Sequence, residues 1–538
     1  MILKEHELLQ IDEKFICQLL EQDPAALAGL SIKLVNDLKE AIERLNQNPS
    51  NSSRPSGSLA PWDKGVTGDE DDESAIDEKE VLRSETGIDQ EQPSDAANTP
   101  EEDSLQSKEY TERRKPGRQN GSQGFGRSQQ LAVTDTTHHA CGCCSVCNED
   151  LTAVEKAYTG FHTVNIEFGN TDSPGVQLTN TLHLYYMGLC PKCGLENRTE
   201  PWRAPADTDD WKNVGMTQWR LVGPDLAALI VYLSMDMRVT RRKVKQFLGD
   251  VFGLELSIGT LQNCIVESAR ALEPVETQLL EELCRESLMH ADETSHNEAG
   301  KRLWLWVFIT ASTALFLIGR RTKEIFTDLF DVLTDFNGHL MTDGYSLYRA
   351  YLKRLRCWAH LLRKAKGLSE SYTLTSQTYG KQVQDSLNDL IDAVYLAREG
   401  PDRGTVSIFA HHHETLKNLR KVCEAMTASG HKKTRELGVE FLNDWEAIFR
   451  VLDYPAWPLT NNEAERALRH WVIMRKITQG TYSEQGSRAL ALFASVFGTC
   501  RLRNSSPLLY LRDVINRRRK GHDMPKLPQI PALVAALN

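Results

Sequence analysis

The chain has 538 residues, with 63 Lys plus Arg against 74 Asp plus Glu, for a formal net charge of −11. That length allows three or four domains, each able to bury a core, and the charge balance excludes a uniformly basic protein. The acidity is local: from Asp69 to Asp103 there are 15 Asp plus Glu against Lys79 and Arg83, a net of −13, which leaves +2 for the remainder and room for basic patches.

In chain order, residues 1–48 place Leu8, Leu9, Ile11, Phe15, Leu19 and Leu20, then Leu30, Val35, Leu38 and Ile42, at helical spacing. This predicts an N-terminal helical segment, either a helical hairpin or a short coiled coil for self-association. Residues 49–110 are polar, acidic and poor in aromatics, the composition of a disordered linker. We expect a spacer there, with shielding of a basic surface as the alternative. Over residues 111–131 the charge reverses, with Arg113, Arg114 and Lys115 among Gly117, Gly121, Gly124 and Gly126. Such a segment can follow a phosphate backbone without reading sequence; a basic linker with no partner is the plain alternative.

Residues 132–204 carry the clearest metal signal. Cys144-Ser145-Val146-Cys147 and Cys190-Pro191-Lys192-Cys193 are two Cys-x-x-Cys knuckles, and each can bring two thiolates to one tetrahedral zinc at about 2.3 Å. Between them Thr163–Phe168 and Leu182–Tyr186 alternate like strands, which predicts a zinc-binding ribbon. His138, His139, Cys141 and Cys143 crowd the first knuckle and leave the ligand set open. Thiols used for metal point to an intracellular protein, and Met1-Ile2-Leu3-Lys4-Glu5 has no export-signal pattern.

Residues 205–285 read as helical. A helix with Arg241, Arg242 and Lys243, then Gly253, then Ser257 as a cap, has the pattern of a helix-turn-helix. As a DNA reader it would put Thr260, Gln262 and Asn263 near base edges; a helical spacer with solvated charges is the alternative.

Further on, three carboxylates stand in informative places. Asp292 follows the run Ser287–His290 and Asp343 follows Gly338–Met341, so both are expected where a buried strand meets a loop; Glu465 opens a helix. Arg302–Ile309 and Ala314–Gly319, broken by Thr310–Thr313, read as a β-hairpin. A membrane span is the lesser reading of that stretch, because 17 uncharged residues are short for a bilayer and Thr310, Ser312 and Thr313 interrupt them. Lys323 to Leu333 has helical spacing. Two aspartates on strands and a glutamate on a later helix suit a pair of hard divalent ions about 4 Å apart, which take oxygen ligands and assist phosphoryl transfer. Thr460-x-x-Glu463 has the spacing of a capping box, which would occupy Glu463 and leave Glu465 for the site.

The pieces Asp292-Glu293-Thr294, Thr342-Asp343-Gly344-Tyr345, Cys357-Trp358-Ala359-His360 with Arg363-Lys364, and Asn461-Asn462-x-x-Glu465-Arg466-Ala467-Leu468-Arg469 together resemble the DDE transposases of the insertion sequence 66 family. Thr460 departs from the Asp common there, and the usual Gly-His pair of the basic segment is absent. The resemblance implies a multidomain α+β protein whose RNase H-like core, a mixed sheet flanked by helices, spans 286–368 and 456–520. A helical insertion at 369–455 would interrupt that core, and a tail would follow at 521–538. It implies Asp292, Asp343 and Glu465 as ligands of two Mg²⁺ or Mn²⁺ ions, beside a structural Zn²⁺. Cys357 and His360 are half a metal site, and a structural or strand-positioning role is expected for them rather than zinc; Arg466 and Arg469 carry no assigned role.

The implied partners are double-stranded DNA, as terminal inverted repeats and as target, further copies of the chain, and small accessory proteins from the same element. The implied location is the bacterial cytoplasm, at the nucleoid, with no membrane. A non-catalytic DNA-binding descendant, and a nuclease that cleaves without joining, are the alternatives.

Overall fold

The computed structural model describes residues 11–45, 129–153, 156–169, 172, 174–205, 214–321 and 336–531. The expected acidic linker, Arg113, Arg114 and Lys115, the helix expected over 323–333 and residues 532–538 lie outside the described residues.

Two N-terminal helices, α1 (Glu13–Gln22) and α2 (Pro24–Leu45), begin after Asp12, whose carboxylate accepts from the Phe15 amide at 2.7 Å. Near the end of α2, Glu43 accepts from the Ser371 hydroxyl and lies 3.2 Å from His431 and 3.7 Å from Lys433. Burial works against its charge, but these partners hold its carboxyl below the usual range.

The cysteine-rich module is built on β1 (Asp135–His139), β2 (Thr152–Ala153), β3 (Thr159–Phe168), β4 (Val176–Tyr185), β5 (Met187–Leu189) and β6 (Glu196–Arg198). The strands form two small sheets, ordered β1-β4-β3 and β2-β5-β6. The strands expected at 163–168 and 182–186 fall within β3 and β4, apart from Tyr186.

Four helices follow: α3 (Pro224–Val231), continued by a π-helical stretch Tyr232–Asp236, then α4 (Arg241–Phe252), α5 (Ile258–Leu272) and α6 (Val275–Cys284). Their buried Leu226, Ile230, Leu248, Leu261 and Leu272 join the main core.

The central sheet consists of β7 (Leu288–Glu298), β8 (Lys301–Ile309), β9 (Ala314–Gly319), β10 (His339–Thr342) and β11 (Arg354–Arg356), in the order β11-β10-β7-β8-β9. β7, β8 and β9 pair antiparallel, whereas β10 is parallel to both β7 and β11. The hairpin closes with Thr310 donating its amide to Thr313 at 2.8 Å.

Between β11 and the C-terminal helices come α7 (Trp358–Ser369), α8 (Leu374–Glu399), α9 (His413–Thr427), α10 (Lys432–Asn443) and the short α11 (Trp445–Phe449). These share a second core around Trp358, Leu387, Phe441 and Phe449. Then follow α12 (Asn462–Thr478), α13 (Glu484–Leu502) and α14 (Pro507–Arg519).

Helices cover both faces of the sheet. Leu305, Val307 and Ile309 pack with Ala464, Leu468 and Trp471 of α12, while Trp306 and Phe308 turn to the opposite face and the main core. A strand buried on both sides reads as a continuous apolar run rather than an alternating one. This accounts for the span-like composition of β8 and β9. Among the described residues no helix is long and apolar enough to cross a membrane.

Candidate functional site

β7 is longer than expected. Asp292 therefore lies inside a strand of 11 residues rather than at its end. The sheet nevertheless changes at this point. β10 pairs with β7 only from His339 opposite Leu288 to Met341 opposite His290, and then leaves. Asp343 follows the last residue of β10 and is near enough for its charge to act on Asp292. Past this point β7 goes on, paired to β8.

The two carboxylates are held by local backbone. The Glu293 amide donates to Asp292 at 2.8 Å and the Tyr345 amide donates to Asp343 at 2.9 Å. Glu465, on the first turn of α12, is near enough for charge coupling to Asp292 and Asp343; among the described residues, though, ligand atoms of the three acids do not all lie within 4.8 Å of one another. Burial pushes the Asp292 carboxyl well above the usual range, and the negative charges of Asp343, Glu293 and Glu465 add to this. Burial raises Glu465 too; the Arg363 guanidinium opposes the shift and Asp343 adds to it. Carboxylates crowded in this way are relieved by a cation, and an all-oxygen, all-anionic donor set fits Mg²⁺ or Mn²⁺.

Glu293 is the residue whose part the sequence reading missed. Its side chain is 2% exposed; it accepts from the Tyr348 hydroxyl at 2.5 Å and pairs with Arg321. Arg321 in turn lies over the rings of Tyr345 at 3.6 Å and Trp304 at 4.3 Å. Adjacent strand residues face opposite sides, so Asp292 and Glu293 serve different surroundings. The available signal was a second acid directly after Asp292, whose side chain a strand must turn to the other face.

Cys357 is fully buried and stands at the N-cap of α7. His360, one turn on, has Nε2 4.0 Å from Glu465 and a buried Nδ1 with no hydrogen-bond partner. Burial and the nearby Arg363 push its pKa down to about 4, so the ring is neutral at pH 7. One ligand atom each from Cys357, His360 and Glu465 lie within 4.8 Å of one another. The half-site read from sequence thus meets the third acid in space.

The expected capping box is absent. Asn461, not Thr460, is the N-cap of α12, with φ −93° and ψ 24° and no side-chain cap. That is not the extended backbone a capping residue adopts, and the Asn461 side chain is turned across to β7 instead. Glu463 is exposed and pairs with Arg466 at 3.2 Å; Arg469 is exposed on the same helix.

Cys144, Cys147, Cys190 and Cys193 come together, with one sulfur from each within 4.8 Å of the others. The two knuckles repeat the same turn. Cys144 accepts from the Asn148 amide at 3.0 Å and Cys190 from the Gly194 amide at 2.9 Å, each through its carbonyl. Asn148 and Gly194 both take left-handed backbone, φ 57° and 69°, which Gly and Asn tolerate best. The amides of Cys147 and Val146 pull the Cys144 thiol down to about 6, and those of Cys193 and Lys192 lower Cys190 against its burial. Cys147 and Cys193 shift the other way: against their backbone amides, the Cys190 thiol raises them, Cys147 to about 12. What fits a tetrahedral zinc is the clustering of the four sulfurs. The neighbours that left the ligand set open are engaged elsewhere: Cys141 with Thr199 at 3.3 Å, His138 with Tyr186 at 2.8 Å and His139 with His183 at 3.1 Å. Cys143 is exposed and outside the cluster.

Residues 220–489 match the family model described as Transposase IS66 family. The chain belongs to that family. It is also 27% identical over 326 residues to the uncharacterized protein y4qI of Sinorhizobium fredii, covering 54% of this chain and 56% of that protein. A second uncharacterized protein of that organism, y4jO, is 27% identical over 184 residues, 34% of this chain and 52% of its own length. The chain thus spans about half the length of the curated relatives it matches.

In this IS66-family chain a glycine turn joins α4 and α5. Gly253, at φ 60°, closes α4, and Ser257 accepts from the Thr260 amide at 3.0 Å. Arg242, Lys243 and Asn263 are exposed. Gln262 accepts from Arg241, and Thr260 lies 2.9 Å from the Ser257 hydroxyl. Most of α5 is buried, so only its first turns are free to meet a ligand.

Proposed function

We propose that this chain is a DNA transposase which binds the terminal inverted repeats of its element and catalyses cleavage and strand transfer at Asp292, Asp343 and Glu465. The observation that carries this reading is the charge coupling of Asp292 with Asp343 and Glu465, and of Glu465 with Asp343, in a chain of the IS66 family. The sheet order, three antiparallel strands followed by two parallel ones, supports an RNase H-like core.

Two divalent cations bound by these acids would supply Lewis-acid activation of the attacking and leaving oxygens. The protein's own task is to hold the three carboxylates near one another; burial and mutual repulsion oppose the ionisation of Asp292 and Glu465, which bound cations would favour. Arg363 and the neutral His360 border the acids and are placed to meet a phosphate. No side chain need form a covalent intermediate, because in-line displacement by an activated oxygen does not use one. The zinc module, the exposed start of α5 with Arg241, Arg242 and Lys243, and the Arg113–Lys115 segment are the proposed DNA contacts. Assembly of several copies on the DNA, help from small accessory proteins, and work in the bacterial cytoplasm belong to the same reading.

The test is incubation of the protein with a library of DNA ends and Mg²⁺, scoring joined products separately from cut ones. Joining is expected. Cutting without joining would sink the transposase in favour of a nuclease, and binding without either would favour an inactive descendant.

A further inference from the structure

We propose that Asn461 and Cys357 form a joint that sets Glu465 in register with Asp292 and Asp343. This rests on the reading of those acids as a cation site. Glu465 returns to the sheet only after the long helical excursion from α7 to α11, so nothing local places it. Ligands of such a site must be held to within about 0.5 Å.

The joint reaches each acid through a single peptide. Asn461 is 1% exposed. Its side-chain NH₂ donates to the carbonyl of Ala291, the residue before Asp292, at 2.8 Å. Its side-chain oxygen, 3.1 Å from His290 Nδ1, is therefore the acceptor, and His290 carries its proton on Nδ1. Its backbone N–H donates to Cys357 Sγ at 3.3 Å. Cys357 in turn donates its own amide to Thr342, the residue before Asp343, at 2.9 Å. Finally, the Asn461 carbonyl accepts from the Glu465 amide at 3.3 Å, the first hydrogen bond of α12.

Three acids distant in sequence are thus linked by two side chains. This gives Cys357 a part that needs no metal: its buried sulfur receives an amide that would otherwise go unpaired. It also explains why Asn461 does not cap its helix, since the side chain is committed to β7.

The experiment uses the full-length protein and reads Mn²⁺ affinity, by the free-ion electron paramagnetic resonance signal and by the half-saturating Mn²⁺ for DNA cleavage. Asn461→Ala and Cys357→Ala should weaken Mn²⁺ by about 10–100-fold, the usual effect of losing a group that orients a ligand, with zinc content and DNA binding kept. Cys357→Ser, whose hydroxyl still accepts the Asn461 amide, should recover most of the loss. If Asn461→Ala does not fold, the two Cys357 variants carry the test.

Wild-type Mn²⁺ affinity in folded Cys357→Ala overturns the joint while leaving the acids in place. A second zinc per chain, lost in both Cys357→Ser and Cys357→Ala, overturns it in favour of a metal held by Cys357, His360 and Glu465. Wild-type Mn²⁺ binding by Asp292→Asn sinks the reading of the acids, and the joint with it.

Discussion

The guanidinium of Arg356, fully buried at the end of β11, pairs with the carboxylate of Asp444 across 88 residues of sequence. Asp444 also accepts from Arg349 and Arg354 at 2.9 Å, and Arg356 reaches Glu440 of α10 at 2.6 Å. The inserted helices are thereby clamped to the edge of the sheet. Gly344, next to Asp343, is part of the clamp, because a Cβ there would stand 2.8 Å from both Arg356 and Glu440. Any side chain at 344 would displace the pair or the Asp343 loop.

Asp444→Ala should therefore cost about 3–5 kcal/mol, the penalty for stranding buried positive charge, read by chemical denaturation at pH 7. Burial opposes ionisation of Asp444, but its three arginine partners hold its carboxyl below the usual range. A depressed pKa contributes stability above the ordinary carboxylate value and loses it as pH falls through the lowered one. The gap between wild type and variant should accordingly narrow on acidification below pH 4. An unchanged gap would show that packing, not charge, holds the insertion.

The acid cluster should have the opposite pH signature. Asp292 is raised by burial and by its acidic neighbours, so its ionised form opposes folding. Its contribution to stability is fully present at low pH and is lost as pH rises through the raised value. Metal-free Asp292→Asn should melt above metal-free wild type at pH 8, and the two should converge below pH 4. Mg²⁺ should raise the wild-type melting point at pH 8 and leave the variant where it is. A variant that melts below wild type at pH 8 would refute the like-charge account.

Glu465→Gln should abolish cleavage and joining while leaving folding and DNA binding intact, since shape is kept and charge is lost. Glu463 lies on the exposed side of α12, and its pair with Arg466 is worth at most about 1 kcal/mol. Glu463→Gln should keep strand transfer within about threefold of wild type. Loss of strand transfer in Glu463→Gln, with retention in Glu465→Gln, would reverse the assignment.

Purified protein should hold one zinc per chain at the four-thiol cluster, measured by elemental analysis without chelator. Cys190→Ser should lose it and loosen the β1–β6 module. Cys141→Ser and Cys143→Ser should keep the metal, because neither thiol belongs to the four. Zinc loss in either would place the ion on a different ligand set.

What the sequence by itself determined are features whose geometry closes within a few residues. A Cys-x-x-Cys turn brings two sulfurs together wherever it occurs, the Thr310–Thr313 break with apolar runs on either side forms a hairpin, and Gly253 followed by Ser257 ends one helix and starts the next. Asp292, Asp343 and Glu465 could be named from residue type and flanking motif. Their relation to one another could not, because it depends on a strand register and on a helix that returns after the whole insertion.

Tertiary structure alone decided that Asp292 lies inside a strand opposite the point where β10 departs. It turned Glu293 away from Asp292, toward Tyr348 and Arg321. It also drew the Asn461 side chain off its own helix, where local chemistry favoured a cap at Thr460. A cap satisfies one exposed helix amide. Turned across to Ala291 and His290, the same side chain satisfies buried polar groups, whose unpaired cost is greater than that of an amide open to water.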